Sequence, residues 1–572
     1  MAQAVAGSVV YAEAAPGQRS TLLSERLIAR LLILLLIIIL MGIIALPLAS
    51  LLTKSVEDTS GAFVGLRNFA TYFSTPTLVA SLFNSILVAA LATAIVVPIA
   101  FTYAYALTRS RMRLKGLFYA AALLPVFAPS LLAAIALTYV FGNQGLLRGA
   151  LFGHSIYGPI GIVIAEILYA LPHALVINVA ALAMADARLY EATDALGTKP
   201  ARVFRTVTLP GARYGLISSA FVVFTLVVTD FGIPKVIGGQ FNVLATDAYK
   251  QVVGQQNFPM GAVVGIILLA PAVLAFMVER AVQRRQVALL SARAVPLEPK
   301  KRAVADRVLT LFCVAVAGMV VATYGVAIWA SFITYWPYNL SLTLGNFDFE
   351  RFDPAGWDPY WTSLKMSALT AVMGTALIFI GAYLVEKTKV FAAGRFFAQL
   401  LAMLPMAVPG LVIGLGYVFF FNAPWNPLNW LYGSLAILVV NSIAHFYTVA
   451  HMTAATALKS IDGEFEAVSA SLKVPFWVTF GRVTVPISLP AILDIAVYMF
   501  VNAMTTVSAV IFLYGADTKL ASVAIVHMDE AGTTSSAAAM ATAIVATAIA
   551  AKLLQLGLSR FLFGRLQRWR IR

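Results

Sequence analysis

Polar residues inside long apolar stretches are the residues of this sequence with the clearest chemical potential. Asp230 follows Thr229 and precedes Phe231-Gly232-Ile233-Pro234, where glycine and proline loosen a helix. An ionisable group in hydrocarbon is expensive, so it favours the path or gate of a polar solute, although it can also cap or pack a helix. A later apolar stretch carries only neutral polar groups, which either line a path or join helices. These further path candidates are Asn502, Thr505, Thr506 and Ser508.

Residues for catalysis or metal binding do not group along the chain. Cys313 is the single cysteine, which excludes an internal disulfide and CxxC chemistry. His445 and His451 are six residues apart, a poor spacing for two metal ligands on one helix face. No Gly-Lys dipeptide occurs, so the phosphate-binding P-loop is missing. The sequence predicts no enzyme, no metal site and no cofactor held by this chain.

The composition requires a lipid environment. Of the 572 residues, 61% are hydrophobic and 11% are charged, and the mean hydropathy is +0.88. Soluble domains carry about a quarter charged residues. The net charge of +15 lies in short loops between apolar runs rather than in a polar basic domain, which argues against nucleic-acid binding.

A helix needs about 20 residues to cross a bilayer. Twelve apolar runs of this chain are long enough to do so. The first run is longer than the apolar core of a signal peptide, so we expect an uncleaved helix. The predicted spans are 27–53, 84–108, 116–141, 157–184, 214–237 and 259–281, then 308–333, 361–385, 396–421, 431–457, 487–514 and 535–558.

Loop charges predict the orientation of these spans. Lysine and arginine concentrate in 109–115, 186–213, the stretch 280–307 and the tail after 559, all on one side of a twelve-span chain. The positive-inside rule makes that side, and both termini, cytoplasmic. The loop 334–360 on the other side is acidic and rich in tryptophan and tyrosine. Its aromatics indicate an interfacial belt or a docking surface for an external protein.

Two proline-bearing motifs repeat along the chain. Pro125 and Pro129 recur 280 residues later as Pro405 and Pro409, and Phe204 to Pro210 recurs 276 residues later as Phe480 to Pro486. Such order and spacing indicate duplication. Six spans per half keep both halves in one orientation, so we expect parallel repeats with a pathway between them. The predicted domains are 1–285, a cytoplasmic linker 286–306, and 307–572.

The loop between the fourth and fifth spans contains the most specific motif. It reads Glu191-Ala192, four residues, Gly197, and Pro210 thirteen residues later. This pattern predicts a short helix, a turn in which glycine permits positive φ, and a second helix. In the second half Glu466-Ala467 and Pro486 remain, but Leu472 stands where the glycine is expected and one extra residue is needed before Phe480. The geometry of the second turn is therefore left open.

This motif resembles the EAA loop of permeases from binding-protein-dependent ABC importers. The resemblance implies an all-α polytopic type I importer fold in the bacterial inner membrane. It also implies two copies of an ATPase that binds ATP and Mg²⁺, and a periplasmic or extracellular substrate-binding protein. In the family the loop lies in a groove on the ATPase. The residues expected to couple this chain to the ATPase are Glu191, Ala192, Gly197, Pro210, Glu466, Ala467 and Pro486.

The chain is most similar to the 2-aminoethylphosphonate permease group, with ferric iron, thiamine and polyamine permeases as alternatives. That similarity lies in 229–239, 251–257, 335–342 and 502–509. A secondary transporter of twelve spans is the competing class. Such a transporter has no reason to keep the paired loops, so they favour the ABC importer.

Overall fold

Helices dominate the chain because apolar segments in lipid must satisfy every backbone polar group internally. The computed structural model describes residues 16–289, 297–300 and 302–566. Parts of the predicted linker (290–296 and 301) and both predicted cytoplasmic termini (1–15 and 567–572) lie outside the described residues. Many large apolar side chains of the first helix, including Leu31, Leu35 and Ile38, are exposed as lipid contacts require.

The first half consists of thirteen helices with three π-helical turns (Met41–Ala45, Phe204–Thr208 and Lys250–Gly254) among them. They are α1 (Pro16–Leu40), α2 (Leu46–Ser55), α3 (Arg67–Ser74), α4 (Pro76–Arg109), α5 (Lys115–Ala122), α6 (Ser130–Phe141), α7 (Pro159–Ala183), α8 (Ala187–Ala195), α9 (Pro200–Val203), α10 (Leu209–Thr229), α11 (Gly232–Ile237), α12 (Leu244–Tyr249) and α13 (Phe258–Leu289).

The second half repeats this order and adds a β-hairpin. Its elements are α14 (Ala303–Ala330), β1 (Ile333–Tyr335), β2 (Asn339–Leu342), α15 (Asp358–Glu386), α16 (Ala392–Met403), α17 (Gly410–Phe421), α18 (Leu435–Lys459), α19 (Glu464–Ser471), α20 (Phe476–Thr479), α21 (Val485–Thr505), α22 (Ala521–Glu530) and α23 (Thr534–Leu566). The two strands are antiparallel, with Tyr335 opposite Asn339. A π-helical turn, Phe480–Thr484, again precedes the long fifth helix.

Ten helices of the described residues are long and apolar enough to cross a membrane, and one bent pair is either a broken eleventh span or a re-entrant loop. The prediction of an all-α polytopic fold is confirmed. The predicted spans 116–141 and 396–421 are not continuous helices. Each is broken by a short 3₁₀ turn that contains one proline and is followed by a second. The second of them, α16 to α17, bends by 115°.

The fifth spans also differ from the prediction. They cover Pro200–Thr229 and Phe476–Thr505, whereas the sequence predicted 214–237 and 487–514. Three arginines in 202–213 made the first of these helices resemble a loop. The backbone instead continues through a π-helical turn and stops at residue 229.

The halves exchange their first helices. α1 and α2 of the first half pack on α16 and α17, while α14 of the second half packs on α5 and α6. Tyr417 Oη donates a hydrogen bond to the Ile43 carbonyl at 2.7 Å. A Cβ on Gly416 would lie 2.6 Å from the Pro47 carbonyl oxygen. Glycine therefore permits this close approach of α17 to α2.

Candidate functional site

The first predicted coupling turn has the expected backbone. Asp186 caps α8 by accepting a hydrogen bond from the Arg188 N–H at 3.1 Å. Gly197 has φ of +61°, and Thr198 N–H donates to the Thr193 carbonyl at 2.9 Å. This closed turn lets α8 and α9 meet at an angle, with Glu191 and Ala192 on α8. Ala192 and Glu191 are both exposed at this end of the molecule.

The second turn has the same backbone at an offset of 276 residues. Lys473, at the position equivalent to Gly197, has φ of +57°. Val474 N–H donates to the Ser469 carbonyl at 2.9 Å, as Thr198 does to Thr193. The predicted alignment of this loop is therefore wrong: Lys473, not Leu472, takes the glycine position, and no extra residue is needed. The geometry is retained although the glycine is not.

This alignment changes which residues correspond at the two turns. At the common offset, Glu466 stands where the first half has Tyr190, and Ala467 stands where it has Glu191. The carboxylate of Glu466 forms an ion pair with Lys387 at 3.0 Å and is only 22% exposed. Glu466 is therefore not the counterpart of the exposed Glu191.

A basic residue at the end of the second span holds each turn. Arg109 stacks on the Tyr190 ring at 5.4 Å and donates to the Leu182 carbonyl, near the end of α7, at 2.6 Å. Lys387 pairs with Glu466 and donates to the Ile461 carbonyl, just after α18, at 3.0 Å. The contact between the end of the second span and the turn is therefore a cation–π pair in the first half and an ion pair in the second.

The surface around both turns is apolar as well as basic. Leu196 is 81% exposed, and further exposed apolar side chains of the two turns are Leu189, Val468, Leu472 and Trp477. Pro210 and Pro486 lie in the first turns of α10 and α21, directly after the π-helical turns. The linker contacts this surface, since Lys300 pairs with Asp194 at 2.6 Å. That hydrogen bond lowers the pKa of the Asp194 carboxyl.

The fifth spans end at equivalent points inside the protein. α10 ends at Thr229 and α21 at Thr505, and the following residues, Asp230 and Thr506, share nearly the same backbone angles (φ −69°, ψ 135° and φ −68°, ψ 139°). Asp230 therefore lies after its helix and not within it. Its Oδ2 accepts the Ile233 N–H at 2.8 Å, and Ser130 also hydrogen-bonds to the carboxylate.

A cavity of about 110 Å³ lies between the halves at this level. Asp230, Asn502, Thr505, Thr506 and Ser508, which were predicted from the sequence as path candidates, line this cavity together. Thr229 is not among the lining residues, and its hydroxyl donates to the Thr225 carbonyl at 2.8 Å. Sequence reasoning did not assign three titratable lining residues to the path, although two of them share one face of α7 four residues apart. These are Tyr169, His173 and His445.

A serine meets a glycine in each half where the broken third span contacts the residues that follow the fifth span. A Cβ on Gly232 would lie 2.4 Å from Ser130 Oγ, and one on Gly410 would lie 3.1 Å from Ser508 Oγ. The first half has serine as the first residue of α6 and glycine after α10, whereas the second half has glycine as the first residue of α17 and serine after α21. Each contact has room for one side chain.

The face that carries the hairpin closes over the cavity by contacts between the halves. Lys235 of α11 forms an ion pair with Glu530 of α22 and lies over the Tyr249 ring at 4.7 Å. Tyr249 stacks on Phe512 with ring centroids 6.2 Å apart. The hairpin adds a hydrogen bond of 3.2 Å from Trp336 Nε1 to the Gln144 carbonyl. Lys235 is therefore already neutralised by a carboxylate.

Several curated proteins are similar to this chain. A putative ferric transport system permease protein of Haemophilus influenzae is 28% identical over 74% of the chain and 69% of its own length. A ferric transport system permease protein of Actinobacillus pleuropneumoniae is 28% identical over 76% of the chain, and the match spans 65% of that relative. A putative 2-aminoethylphosphonate transport system permease protein of Salmonella typhi is 29% identical over 24% of the chain and 52% of its own length.

The first half also matches a protein-family model. The match covers residues 94–287 and includes the first turn, Asp230 and α13. The relatives named above are permease subunits of transport systems, which agrees with a chain of paired membrane-spanning halves. That model describes binding-protein-dependent transport system inner membrane components, to which residues 94–287 of this chain are similar.

Proposed function

We propose that this chain is the whole transmembrane channel of an ATP-driven importer, receiving substrate from an external binding protein. The observation that carries the proposal is the pair of turns at Gly197 and Lys473, which have one backbone geometry at equivalent positions. Two turns provide two docking points, so two copies of an ATPase, which bind ATP and Mg²⁺, complete the complex. The basic face that bears the turns is cytoplasmic, and so are both termini.

A continuous helix links each turn to the cavity. The first runs from Pro200 to Thr229, 30 residues, or about 45 Å at 1.5 Å per residue. It ends beside Asp230, and its counterpart ends beside Thr506. Approach of the two ATPases moves the turns, and rigid helices transmit that movement to the cavity wall. Alternating access then follows from breaking the Lys235–Glu530 contact on the outer face.

For the substrate we infer a species that carries a positively charged group or ion, with ferric ion first. The cavity has a carboxylate and no lysine or arginine among its described lining residues. The relatives named for ferric transport align with about three quarters of the chain. 2-Aminoethylphosphonate is the second candidate, favoured by the shared segments 229–239 and 502–509 and by its amino group, which suits Asp230. Uptake of radiolabelled ferric ion and of 2-aminoethylphosphonate by the reconstituted complex tests the choice.

Coupling is tested at Glu191 and Gly197. Glu191→Lys reverses the charge on the exposed face of α8, and Gly197→Val puts a β-branched side chain at positive φ. Each variant should lower ATP-driven uptake at least tenfold in proteoliposomes that contain the ATPase and the binding protein. Gly197→Asn is the matched control, because asparagine tolerates this conformation, and it should keep uptake within about threefold.

Two outcomes would contradict the proposal. Uptake driven by a proton gradient in the purified chain without an ATPase would indicate a secondary transporter. Unchanged ATP-driven uptake in both Glu191→Lys and Gly197→Val would show that the turns do not couple the two proteins.

A further inference from the structure

A pocket lies beside each of the two turns, and the proposed coupling mechanism uses neither pocket. The first has a volume of about 630 Å³ and lies between the end of α4, the helices α8 and α9, and linker residues 297–300 and 302. The second, of about 290 Å³, lies between α1, the end of α15, and the helices α19 and α20. Both pockets therefore lie on the face of the molecule that carries the turns.

The two pockets are built from equivalent positions of the two halves. Four of these positions keep the same type of side chain, namely a tyrosine, two basic residues and a hydroxyl group. The pairs are Tyr105 and Tyr383, Arg109 and Lys387, Arg111 and Lys389, and Thr193 and Ser469. Other lining positions differ, such as Tyr190 and its equivalent Glu466. The pockets therefore share a set of ligand-binding groups that their sequences do not share in full.

The charge of both linings is positive. Four basic side chains line each pocket, against three carboxylates in the first and two in the second. Asp194 and Glu466 each form an ion pair with a lysine of the same pocket. Glu25 of α1 accepts a hydrogen bond from the Phe476 N–H at 2.9 Å. Three of the five carboxylates are therefore already engaged within the protein.

Basic groups without a partner remain in both pockets. Among the described residues, the side chains of Arg111 and Lys389 have no ion-pair or hydrogen-bond partner, and both are exposed. Each lining also includes a buried donor atom without a partner, Arg109 Nε in the first and Thr479 Oγ1 in the second. A phosphate group suits such a site, because it combines negative charge with several acceptor oxygens.

The position of the pockets favours a lipid as the source of that phosphate. Tyr105 and Tyr383 lie four and three residues before the ends of the second spans. Tyrosine followed by arginine or lysine at the end of a span is typical of the membrane interface, where lipid headgroups lie. Phe204 and Phe476 line the pockets beside the basic groups. Basic pockets between spans on the cytoplasmic side bind anionic headgroups in other membrane proteins.

We propose that each pocket binds the phosphate group of one anionic phospholipid, such as phosphatidylglycerol, at Arg111 in the first half and at Lys389 in the second. The lipid would link the end of the second span to the helices of the turn. In the second pocket it also contacts α1, which belongs to the first half. The site needs neither the transported substrate nor an ATPase, so the proposal goes beyond the proposed function.

Lipid binding can be measured on the full chain in detergent without any partner. Native mass spectrometry counts the lipids that the chain retains. The probes are phosphatidylglycerol, phosphatidylcholine with the same acyl chains, and glycerol 3-phosphate as the soluble phosphate. We expect the wild type to retain one phosphatidylglycerol in each pocket and to bind it more tightly than phosphatidylcholine. Glycerol 3-phosphate at the same concentration should not displace it.

The variants are Arg111→Gln and Lys389→Gln, which remove exposed side chains without partners and therefore leave the fold intact. Each should weaken one of the two lipid sites about fivefold, and the double variant should weaken both. Arg113→Gln and Arg482→Gln are the matched controls, because each replaces an exposed arginine of the same half that lines neither pocket. Both controls should keep the two affinities within about twofold of the wild type.

Equal retention of phosphatidylglycerol and phosphatidylcholine by the wild type would overturn the proposal. Equal lipid affinities in Arg111→Gln, Lys389→Gln and their controls would also overturn it. Displacement of the lipid by glycerol 3-phosphate would assign the pockets to a soluble phosphate and would contradict the choice of a lipid. These outcomes are separate from the fate of the proposed function, which depends on ATP-driven uptake and on the turns.

Discussion

The two turns share a position with positive φ, but different residues occupy it. Gly197 takes positive φ without steric cost, whereas Lys473 takes nearly the same φ with a Cβ. A non-glycine residue in this left-handed region is strained by about 1 kcal/mol. The second turn therefore holds its shape through surrounding contacts, among them the ion pair between Glu466 and Lys387.

Replacing Lys473 by glycine should stabilise the chain. We expect Lys473→Gly to raise the free energy of unfolding by about 1 kcal/mol, because it removes the strain at positive φ. Ser471→Gly is the control, since Ser471 is helical and glycine there should destabilise by about 0.5 kcal/mol. Thermal unfolding in detergent micelles measures both. Equal losses of stability would show that the turn at 473 is not strained.

Asp529 gives the outer face a dependence on pH. Burial in α22, together with the charge of Glu530, raises the pKa of Asp529 to about 6. The folded chain thus holds a proton that the unfolded chain has already released between about pH 4 and pH 6. Stability should therefore fall as the pH rises through this window, by on the order of 1 kcal/mol.

The comparison of Asp529→Asn with wild type isolates that effect. The wild type should lose stability relative to Asp529→Asn as the pH rises from about 4 to about 6, as followed by unfolding midpoints. Asp517→Asn changes an exposed carboxylate near the same face and should leave the wild-type pH profile unchanged. Parallel profiles for wild type and Asp529→Asn would contradict the assignment.

The residue types of the first turn and of the cavity could be predicted, but their partners could not. Glu191 and Gly197 follow a spacing that dictates a helix and a positive-φ turn. The second turn was aligned on the letters Glu466-Ala467, whereas the backbone equivalence is set by Lys473, whose positive φ has no sequence signature. Tyr169 became a candidate only when α7 was placed beside the cavity.

At the level of elements, the breaks in the helices matter more than their lengths. The third spans break at prolines, and the fifth spans stop at Thr229 and Thr505. Three of these four breaks, those near 125–130, 230 and 506, line one cavity. Prolines 280 residues apart indicated duplication, but the apolar runs predicted one span across each proline break. They also predicted that the fifth span continues to residue 237, although Gly232 and Pro234 indicated a looser helix there.

The alternation of serine and glycine at these breaks can be tested by exchange. Gly232→Ala should destabilise by about 1–3 kcal/mol, because its Cβ would lie 2.4 Å from Ser130 Oγ. The pair Ser130→Gly with Gly232→Ser copies the arrangement of Gly410 and Ser508 and should recover most of that loss. A double variant as unstable as Gly232→Ala would show that the two residues are independent. Unfolding midpoints of the three chains decide.

At the scale of the whole molecule, the exchange of first helices makes the halves mutually dependent. The duplication was readable from the sequence, but nothing in an apolar helix identifies the half against which it packs. α1 and α2 could equally have covered their own half. Gly416 leaves room for the backbone of Pro47. This role becomes clear only when α17 and α2 are placed side by side.

Cutting the chain between residues 290 and 296 tests this dependence. The two fragments, expressed together, should copurify in roughly equal amounts through a tag on either one, because α2 on α17 and α14 on α6 bury apolar faces. Removing residues 1–55 from the first fragment should lower recovery of the second fragment several-fold. Fragments that each purify alone with the unfolding midpoint of the intact chain would contradict this prediction.

The exchange of helices also sets a delay between the synthesis of α2 and its packing on α17. α2 ends at Ser55 and its partner α17 begins at Gly410, so roughly 350 residues must be made before they can meet. At about 5–20 residues per second this takes about 20–70 s. For that time the faces of α1 and α2 that later pack on α16 and α17 are open to lipid, an insertase or a neighbouring nascent chain, although α2 can pack on α13 of its own half once α13 is made. Because both halves belong to one polypeptide, the correct packing partner of α2 follows it in the same chain.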